Sequence, residues 1–482
     1  MGYLAAIRRP PALMPILGIV LMAAASVGSF PSSAQPGATS PLIERPAESA
    51  ALEPEPGEKA PASIQSSLGT FGDPGGYREL LKGRGISYNA LYTNEVLGNV
   101  SGGIRRGPIY AGKLEMALTA DLGVLAGWTG WSLFANAFQL HDTGGLRDRS
   151  FQRLITVSNI EAYPATRLSE LWLEKRWGDN RFGLRVGQLA ADGEFFSSDT
   201  GKLFLSNDWP TIAGANLPGG GPAYPLATPG IRFRYDPDAS FAALVAVFNG
   251  DPGEQRFANR TGTNFRLNDP PLVMGEVQFR HHQSTDTSRL SGSVKLGFFR
   301  HFGRFDDFRF DIAGTPLASR ESSGISRRLR GSGGIYGVVD QQIYRPEGGS
   351  HERGVSLYAR VSGSPSDRSA IEAWADGGVV ASGMVPGRPE DAFGLSFIYA
   401  RIGAGARGFD RDTALNSPGF QPVRSSEASI ELSYQAQILP GWLIQPDFQY
   451  VFNPSGGIAN PFAPDRPIRG GAVFGLRSLI TY

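Results

Sequence analysis

Cysteine is missing from all 482 residues, which removes disulfide frameworks and every thiolate-based metal site or nucleophile. Net charge is nearly missing as well. The 46 Lys and Arg stand against 45 Asp and Glu, a formal charge of +1, too close to zero to suggest a nucleic-acid partner. Beyond Gly28 no apolar run reaches the ~18 residues that would mark a membrane-spanning helix. Past Lys82 no long helical period stands out. Catalytic patterns are equally scarce. His281 and His282 are adjacent at a strand end, where neighbouring side chains point to opposite faces and cannot share one ion. No Gly-x-Ser-x-Gly elbow occurs, and Gly219-Gly220-Gly221 lacks the Lys-Ser/Thr of a phosphate loop. No catalytic residue, metal or cofactor is therefore expected, and the chain does not read as an enzyme. A barrel enzyme would need a Ser–His pair at a lipid-facing rim, and no clear pair is present.

What is abundant points elsewhere. Gly numbers 63 and Pro 35, and aromatics make up 11%. Such a composition suits many tight turns joining pleated, half-buried strands. At the N-terminus, Arg8 and Arg9 precede the apolar stretch Pro11 to Gly28, followed by Ser32-Ser33-Ala34. This pattern predicts an export signal over 1–34, cleaved after Ala34. Residues 35–66, with Glu53-Pro54-Glu55-Pro56, lack apolar density and read as a disordered periplasmic tether. The folded unit is expected over 67–482, opening with a short helix at Gly75 to Lys82. An exported chain without a membrane helix is secreted, periplasmic or an outer-membrane barrel.

From Ile86 onward the period is two. Ile231, Phe233 and Tyr235 alternate with Arg232 and Arg234; Val273, Val277 and Phe279 with Glu276, Gln278 and Arg280. Val355, Leu357, Ala359 and Val361 alternate with Ser356, Tyr358 and Arg360; Ile430, Leu432 and Tyr434 with Glu431, Ser433 and Gln435. Alternation of this length marks half-buried strands. A soluble sandwich would also alternate, so the period alone gives no direction. The number of strands, their length and the export context favour an all-β, transmembrane antiparallel β-barrel of about sixteen strands. The strands are expected to begin near 86, 110, 131, 169, 181, 229, 240, 272, 290, 334, 353, 369, 393, 428, 442 and 472. Short periplasmic turns are expected at Asp179-Asn180, Asp236-Pro237-Asp238-Ala239 and Leu439-Pro440-Gly441, and long outer loops at 142–168, 191–228, 302–333 and 403–427. Gly363 to Asp367 fits poorly, being too short for an outer loop. Trp131, Trp177, Trp442 and Tyr450 fall near strand ends, as in interfacial aromatic girdles. In the final strand, Gly471 to Tyr482, residues Phe474, Leu476, Ile480 and Tyr482 share a face that Ser478 interrupts. This ending resembles the signal read by bacterial barrel-assembly machinery.

A barrel of this kind has a polar lumen, whose selectivity follows from diameter, hydrogen-bonding groups and lining charge. Candidate lining residues are Arg185, Arg232, Arg234, Arg280 and Arg360 as donors, and Glu115, Glu276, Glu372, Asp376, Glu431 and Asp447 as acceptors. Trp209, Trp374 and Tyr224 offer stacking faces. Residues 191–228 hold Phe195, Phe196, Phe204 and Trp209. A solvated loop has no use for that many aromatics, so this segment is the expected constriction, with an external cap or a subunit contact as the alternatives.

These residues also resemble a known family, the carbohydrate-selective porins of the OprB type. The similarity begins at Phe71-Gly72-Asp73-Pro74-Gly75-Gly76-Tyr77-Arg78, with Pro74 in place of the usual Trp and Tyr77 in place of Leu. It continues through Ser101-Gly102-Gly103, Gly127-Trp128-x-Gly130, Arg185-Val186-Gly187-Gln188, Pro229-Gly230-Ile231-Arg232 and Phe248-Asn249-Gly250-Asp251-Pro252. Pro365-Ser366-Asp367-Arg368, Pro386-Gly387-Arg388-Pro389-Glu390-Asp391 and Gln445-Pro446-Asp447-x-Gln449-Tyr450 complete the series. The resemblance implies a sixteen-stranded barrel that passes mono- and small oligosaccharides by diffusion, without cofactor or energy coupling. A porin for other small solutes is the alternative. Expected partners are small carbohydrates, outer-membrane lipid and lipopolysaccharide, the barrel-assembly machinery and, in a homotrimer, further copies of the chain.

Overall fold

The computed structural model describes residues 63–482 except 146, 208 and 283–288. The expected export signal and nearly all of the expected tether lie outside the described residues. Of the tether, only its last four positions, 63–66, fall among the described residues. Ile64–Ser67 forms a 3-10 turn whose first free N–H groups are met by Ser63 Oγ, which accepts from Gln65 N at 3.3 Å.

Sixteen antiparallel strands close into one barrel. They are β1 (Ile86–Asn99), β2 (Gly107–Asp121), β3 (Trp131–Asp142), β4 (Ala165–Trp177), β5 (Phe182–Leu189), β6 (Thr228–Asp238), β7 (Phe241–Asn249) and β8 (Pro271–His281). Then follow β9 (Gly292–Asp311), β10 (Ser326–Tyr344), β11 (Gly354–Gly363), β12 (Ile371–Ser382), β13 (Ala392–Ile402), β14 (Ser426–Leu439) and β15 (Trp442–Phe452). A small hairpin, β16 (Ala459–Asn460) and β17 (Ala463–Pro467), stands apart from the wall, and β18 (Gly471–Thr481) pairs with both β15 and β1. Closure leaves no edge strand in the wall, where ladder groups find partners without water; the outer parts of β9 and β10, beyond 301 and before 335, pair only with each other.

The direction of the alternation, which period two leaves open, is plain in three dimensions. Phe393, Leu395 and Phe397 on β13, and Val294, Leu296 and Phe298 on β9, are exposed. Ser396, Lys295, Glu431, Gln435, Gln445, Arg232 and Arg477 are buried inside. Apolar groups outside and charged groups inside would be untenable in water, where the hydrophobic effect drives the opposite arrangement. It is the arrangement a hydrocarbon solvent demands.

Parity holds at both ends. Both termini of the barrel and the tight turns at 178–181, 239–240 and 440–441 lie at one end, the turn end. In the first of these turns Asp179 and Asn180 take φ of 57° and 65°, the left-handed pair that a two-residue hairpin connection needs. The long connections lie at the loop end. Trp131, Trp177 and Trp442 ring the turn end, with Trp177 stacked on Phe182 at 5.7 Å. The β11–β12 connection is short, 364–370. Elsewhere the expected bounds shift. β9 and β10 run to Asp311 and from Ser326, so most of the expected 302–333 loop is a projecting hairpin. β6 runs through Asp236–Asp238, leaving the turn to Ala239 and Ser240.

The closing strand is tied to the opening motif. Tyr482 stacks loosely on Tyr88 at 6.5 Å, and the Arg78 guanidinium lies 5.0 and 5.5 Å from those two rings. The Tyr482 hydroxyl donates to Gly72 O at 2.8 Å, a bond that a terminal Phe could not make. Asp73 accepts from Arg78 N and Glu79 N, starting the helix Tyr77–Lys82. Its apolar residues Tyr77 and Leu80 are exposed.

Candidate functional site

The connection from β5 to β6, residues 190–227, turns into the lumen and lies along the inner wall. Sequence dictates where it can settle. The inner face of β7 carries Ala242, Leu244, Ala246 and Phe248, and the neighbouring strands add Leu272, Met274, Phe299, Tyr336 and Trp374. This apolar patch in a polar lumen receives Phe195, Phe196, Trp209, Ile212 and Leu217. Phe196 stacks on Tyr336 at 4.0 Å with an 8° interplanar angle, and meets Trp374 edge-on at 5.6 Å.

An irregular segment in a confined lumen leaves backbone groups that must be satisfied. Wall side chains do this. Glu276 accepts from Phe196 N at 2.8 Å. Asp340 accepts from Ser198 Oγ and Thr200 N at 2.6 and 3.0 Å. Glu431 accepts from Leu205 N and Ser206 N at 2.5 and 3.0 Å. Lys295 Nζ donates to Ser197 O at 3.0 Å, Arg360 Nη1 to Phe196 O at 3.2 Å and Gln445 Nε2 to Leu203 O at 2.6 Å. The segment is thus tied to six strands, from β8 to β15.

A second segment, 143–164, folds inward beside it, where sequence patterning suggests only an outer loop. Glu427 accepts from Leu154 N, Ile155 N and Ser455 N at 2.8, 3.1 and 2.7 Å and pairs with Arg153 at 3.2 Å. Arg477, paired with Glu95 at 2.8 Å, also donates to Ser158 Oγ and Asn159 Oδ1. The two segments touch, Asn159 N donating to Leu205 O at 2.7 Å.

These contacts reassign several candidates. Arg360 and Asp376 do come together, at 2.7 Å, but with Trp374 they lie buried beneath residues 196–207. Glu276 and Glu431 are backbone anchors. Trp209 is buried in the packed core of the segment. Tyr224 donates to Ile160 O at 2.9 Å, and its ring faces Lys113 Nζ at 5.1 Å, so it braces the two segments against β2. Lys113 in turn pairs with Glu115 at 2.9 Å. Glu372 is a correction. The β12–β13 register slips between Ile371 and Ala373, and this bulge takes Glu372 out of phase with Trp374 and Asp376. Its carboxylate accepts from Ala404 N at 2.8 Å and pairs with Arg401 and Arg407 at the loop-end rim. There it caps the helix Ala404–Asn416, which the sequence pattern does not reveal.

The remaining arginines, on β5, β6 and β8, form a ladder with carboxylates of β4, β6 and the connecting segment. Arg185 pairs with Glu174 at 2.8 Å, and Arg232 bridges Glu194 at 2.6 Å and Glu174 at 3.4 Å. Asp236 holds Arg234 at 2.6 Å and Arg280 at 3.2 Å. The Arg185 guanidinium lies 3.7 Å over the Trp172 ring, itself stacked on Phe134 at 4.9 Å. Three members of this ladder keep partial solvent access, the side chains of Arg185, Glu194 and Asp236 being 9, 13 and 17% exposed, whereas Glu174, Arg232 and Arg234 are buried. Trp172, Glu174 and Glu194 are missed by strand-by-strand reading. Trp172 and Glu174 are legible in hindsight, alternating with the exposed Leu171 and Leu173.

Glu194 belongs to the connecting segment rather than to a strand. Burial opposes its ionisation, but the charges of Arg232 and Arg185 prevail and hold its carboxyl at about 2, down from 4.5. A depressed carboxylate stabilises the folded arrangement above its ordinary value and loses that contribution as pH falls toward the depressed one. The tie between the segment and the ladder is therefore expected to be constant from neutrality to about pH 4.5 and to weaken from there toward pH 2. Single-channel conductance recorded across that range, against a Glu194→Gln variant that lacks the transition, checks this.

The model of the family described as "Carbohydrate-selective porin, OprB family" matches residues 105–482. Porin B of Pseudomonas aeruginosa is 23% identical over 421 residues, covering 82% of this chain and 89% of that protein. The putative porin QuiX of Acinetobacter baylyi is 22% identical, covering 80% and 88%. The fold is similar to that of Pseudomonas putida OprB, with a TM-score of 0.72 at 19% identity over 85% of this chain and 97% of that one. Barrel topology, inside-out polarity and a match over most of the chain agree, and the chain belongs to the carbohydrate-selective porins of the OprB family.

Proposed function

We propose that the arginine–carboxylate ladder and the facing edge of the 190–227 segment form the sugar-selecting constriction of this outer-membrane porin, passing mono- and small oligosaccharides by diffusion. The observation that carries the reading is the stack Phe134–Trp172–Arg185 with Glu174 and Glu194 alongside. The buried Phe134 and Trp172 rings back the partly exposed Arg185 guanidinium, whose free flat face suits the apolar face of a pyranose ring. The fixed fork of Arg185 donates to hydroxyls and Glu194 accepts from them, while the buried Arg232 and Glu174 hold these two groups in place. Because these charges are already paired, a sugar exchanges one hydrogen bond for another, so binding is weak and exit is fast. The anchors Glu276, Asp340, Glu431 and Arg360 act indirectly, by holding the segment in place.

In planar bilayers, added glucose or maltose is expected to lower the ionic conductance of the wild type reversibly. Arg185→Ala is expected to diminish that block while leaving the channel open. Sugar-independent conductance in the wild type would remove the sugar assignment, and an unchanged block in the variant would remove Arg185 from it.

A further inference from the structure

The outer surface of the barrel carries a feature that transport does not use. On β9 the lipid-facing row reads Val294, Leu296, Phe298, Arg300, Phe302, Arg304, Asp306, all exposed. Gly292 starts the strand at the turn end, so Arg300 and Arg304 are its ninth and thirteenth residues. A tilted strand crosses the hydrocarbon in about 9–11 residues. The row therefore changes from apolar to basic at the height where hydrocarbon gives way to headgroups on the loop side, the outer leaflet.

The basic groups converge. Arg304 lies directly opposite Arg330 on β10, and both are exposed. Like charges in that register repel one another. Gly331, at φ +65°, leaves its side-chain space to the Arg300 guanidinium: a Cβ there would sit 2.3 Å from Arg300 Nη2. Arg368, from the short 364–370 connection, donates to Arg330 O and Gly331 O at 3.0 and 3.1 Å. Arg328 completes the group, donating to Arg304 O at 3.0 Å. Among the described residues, the carboxylates in ion pairs with these five arginines are Asp306, on Arg328 at 3.1 Å, and Asp367, on Arg368 at 2.8 Å. Five positive charges less two negative leave three, and among the described residues Arg300, Arg304 and Arg330 have no carboxylate partner. Phe298, Phe302 and Ile335 lie exposed beside and below them.

We propose that Arg300, Arg304 and Arg330, positioned by Gly331 and Arg368, bind the phosphates of an anionic glycolipid of the outer leaflet, of the lipopolysaccharide class, with its acyl chains on Phe298, Phe302 and Ile335. Guanidinium forks match phosphate oxygens two at a time, and a bound phosphate relieves the Arg304–Arg330 repulsion that the protein leaves uncompensated.

The test uses the full chain purified in detergent and native mass spectrometry with three probes: diphosphoryl lipid A, its dephosphorylated form and inorganic phosphate. The wild type is expected to retain diphosphoryl lipid A at least about tenfold better than the dephosphorylated form. The R300Q/R304Q/R330Q variant should lose that preference, with its heat-modifiable mobility and sugar-sensitive conductance intact. R300K/R304K/R330K, which keeps charge but not forks, should fall between. Equal retention of the two lipids by the wild type overturns the site without recourse to any variant. Undiminished retention by the glutamine variant overturns these residues. Displacement of lipid A by equimolar inorganic phosphate overturns the lipid in favour of a free anion.

Discussion

Replacing residues 195–223 with a short Gly-Ser linker is expected to raise single-channel conductance several-fold and to abolish block by added sugar. The segment occupies lumen that the barrel would otherwise leave to water, and it brings Glu194 to the arginine ladder. Barrel closure does not depend on it, because the wall ladders run unbroken through all sixteen strands. The cost falls on the wall. Leu244, Phe248, Leu272, Met274 and Phe299 would face water, so the unfolding temperature should drop even as the channel widens. Conductance equal to wild type in a correctly folded variant would show that this segment does not narrow the pore.

Arg360→Ala should be among the most destabilising single substitutions in the lumen. Asp376, 5% exposed, would lose its partner at 2.7 Å, and Phe196 O and Asn207 Oδ1 would lose a donor. Leaving one member of a buried pair uncompensated costs about 3–5 kcal/mol. Replacing both, as in R360M/D376L, removes the orphaned charge and should recover most of the wall's stability while leaving the segment less firmly held. Thermal unfolding followed by heat-modifiable mobility separates the two effects. If the single variant unfolded at the wild-type temperature, the pair could not be an anchor.

These outcomes test contacts that strand patterning could not supply. The polar face of each strand was legible because period two is a local property of the chain. Which polar residues meet water in the lumen and which meet a folded-in segment is not local. Glu276 and Glu431 look the same in sequence as Glu174, yet the first two accept backbone N–H groups from 190–227 and the third pairs with the arginines of β5 and β6. The abundance of Phe in 191–228 did signal an inward segment. For 143–164 the signal was weaker, since its buried apolar residues, Phe151, Ile155 and Val157, are interleaved with polar ones. Glu372 was misplaced because a one-residue bulge reverses facing without changing composition. The helix Ala404–Asn416 escaped notice because ion pairs such as Arg309–Asp412 and Arg424–Asp410, both at 2.8 Å, hold it, rather than an apolar stripe.

By itself the sequence determined the class of fold, the approximate strand number and the family, since alternation, turn residues and ordered motifs are all written along the chain. Tertiary structure decided which of the inward charges pair with one another along the wall and which accept from or donate to backbone groups of the two inward-folded segments. Those choices depend on closure: only once β18 meets β1 is there an inside, and only then can residues hundreds of positions apart, such as Glu95 and Arg477, become partners.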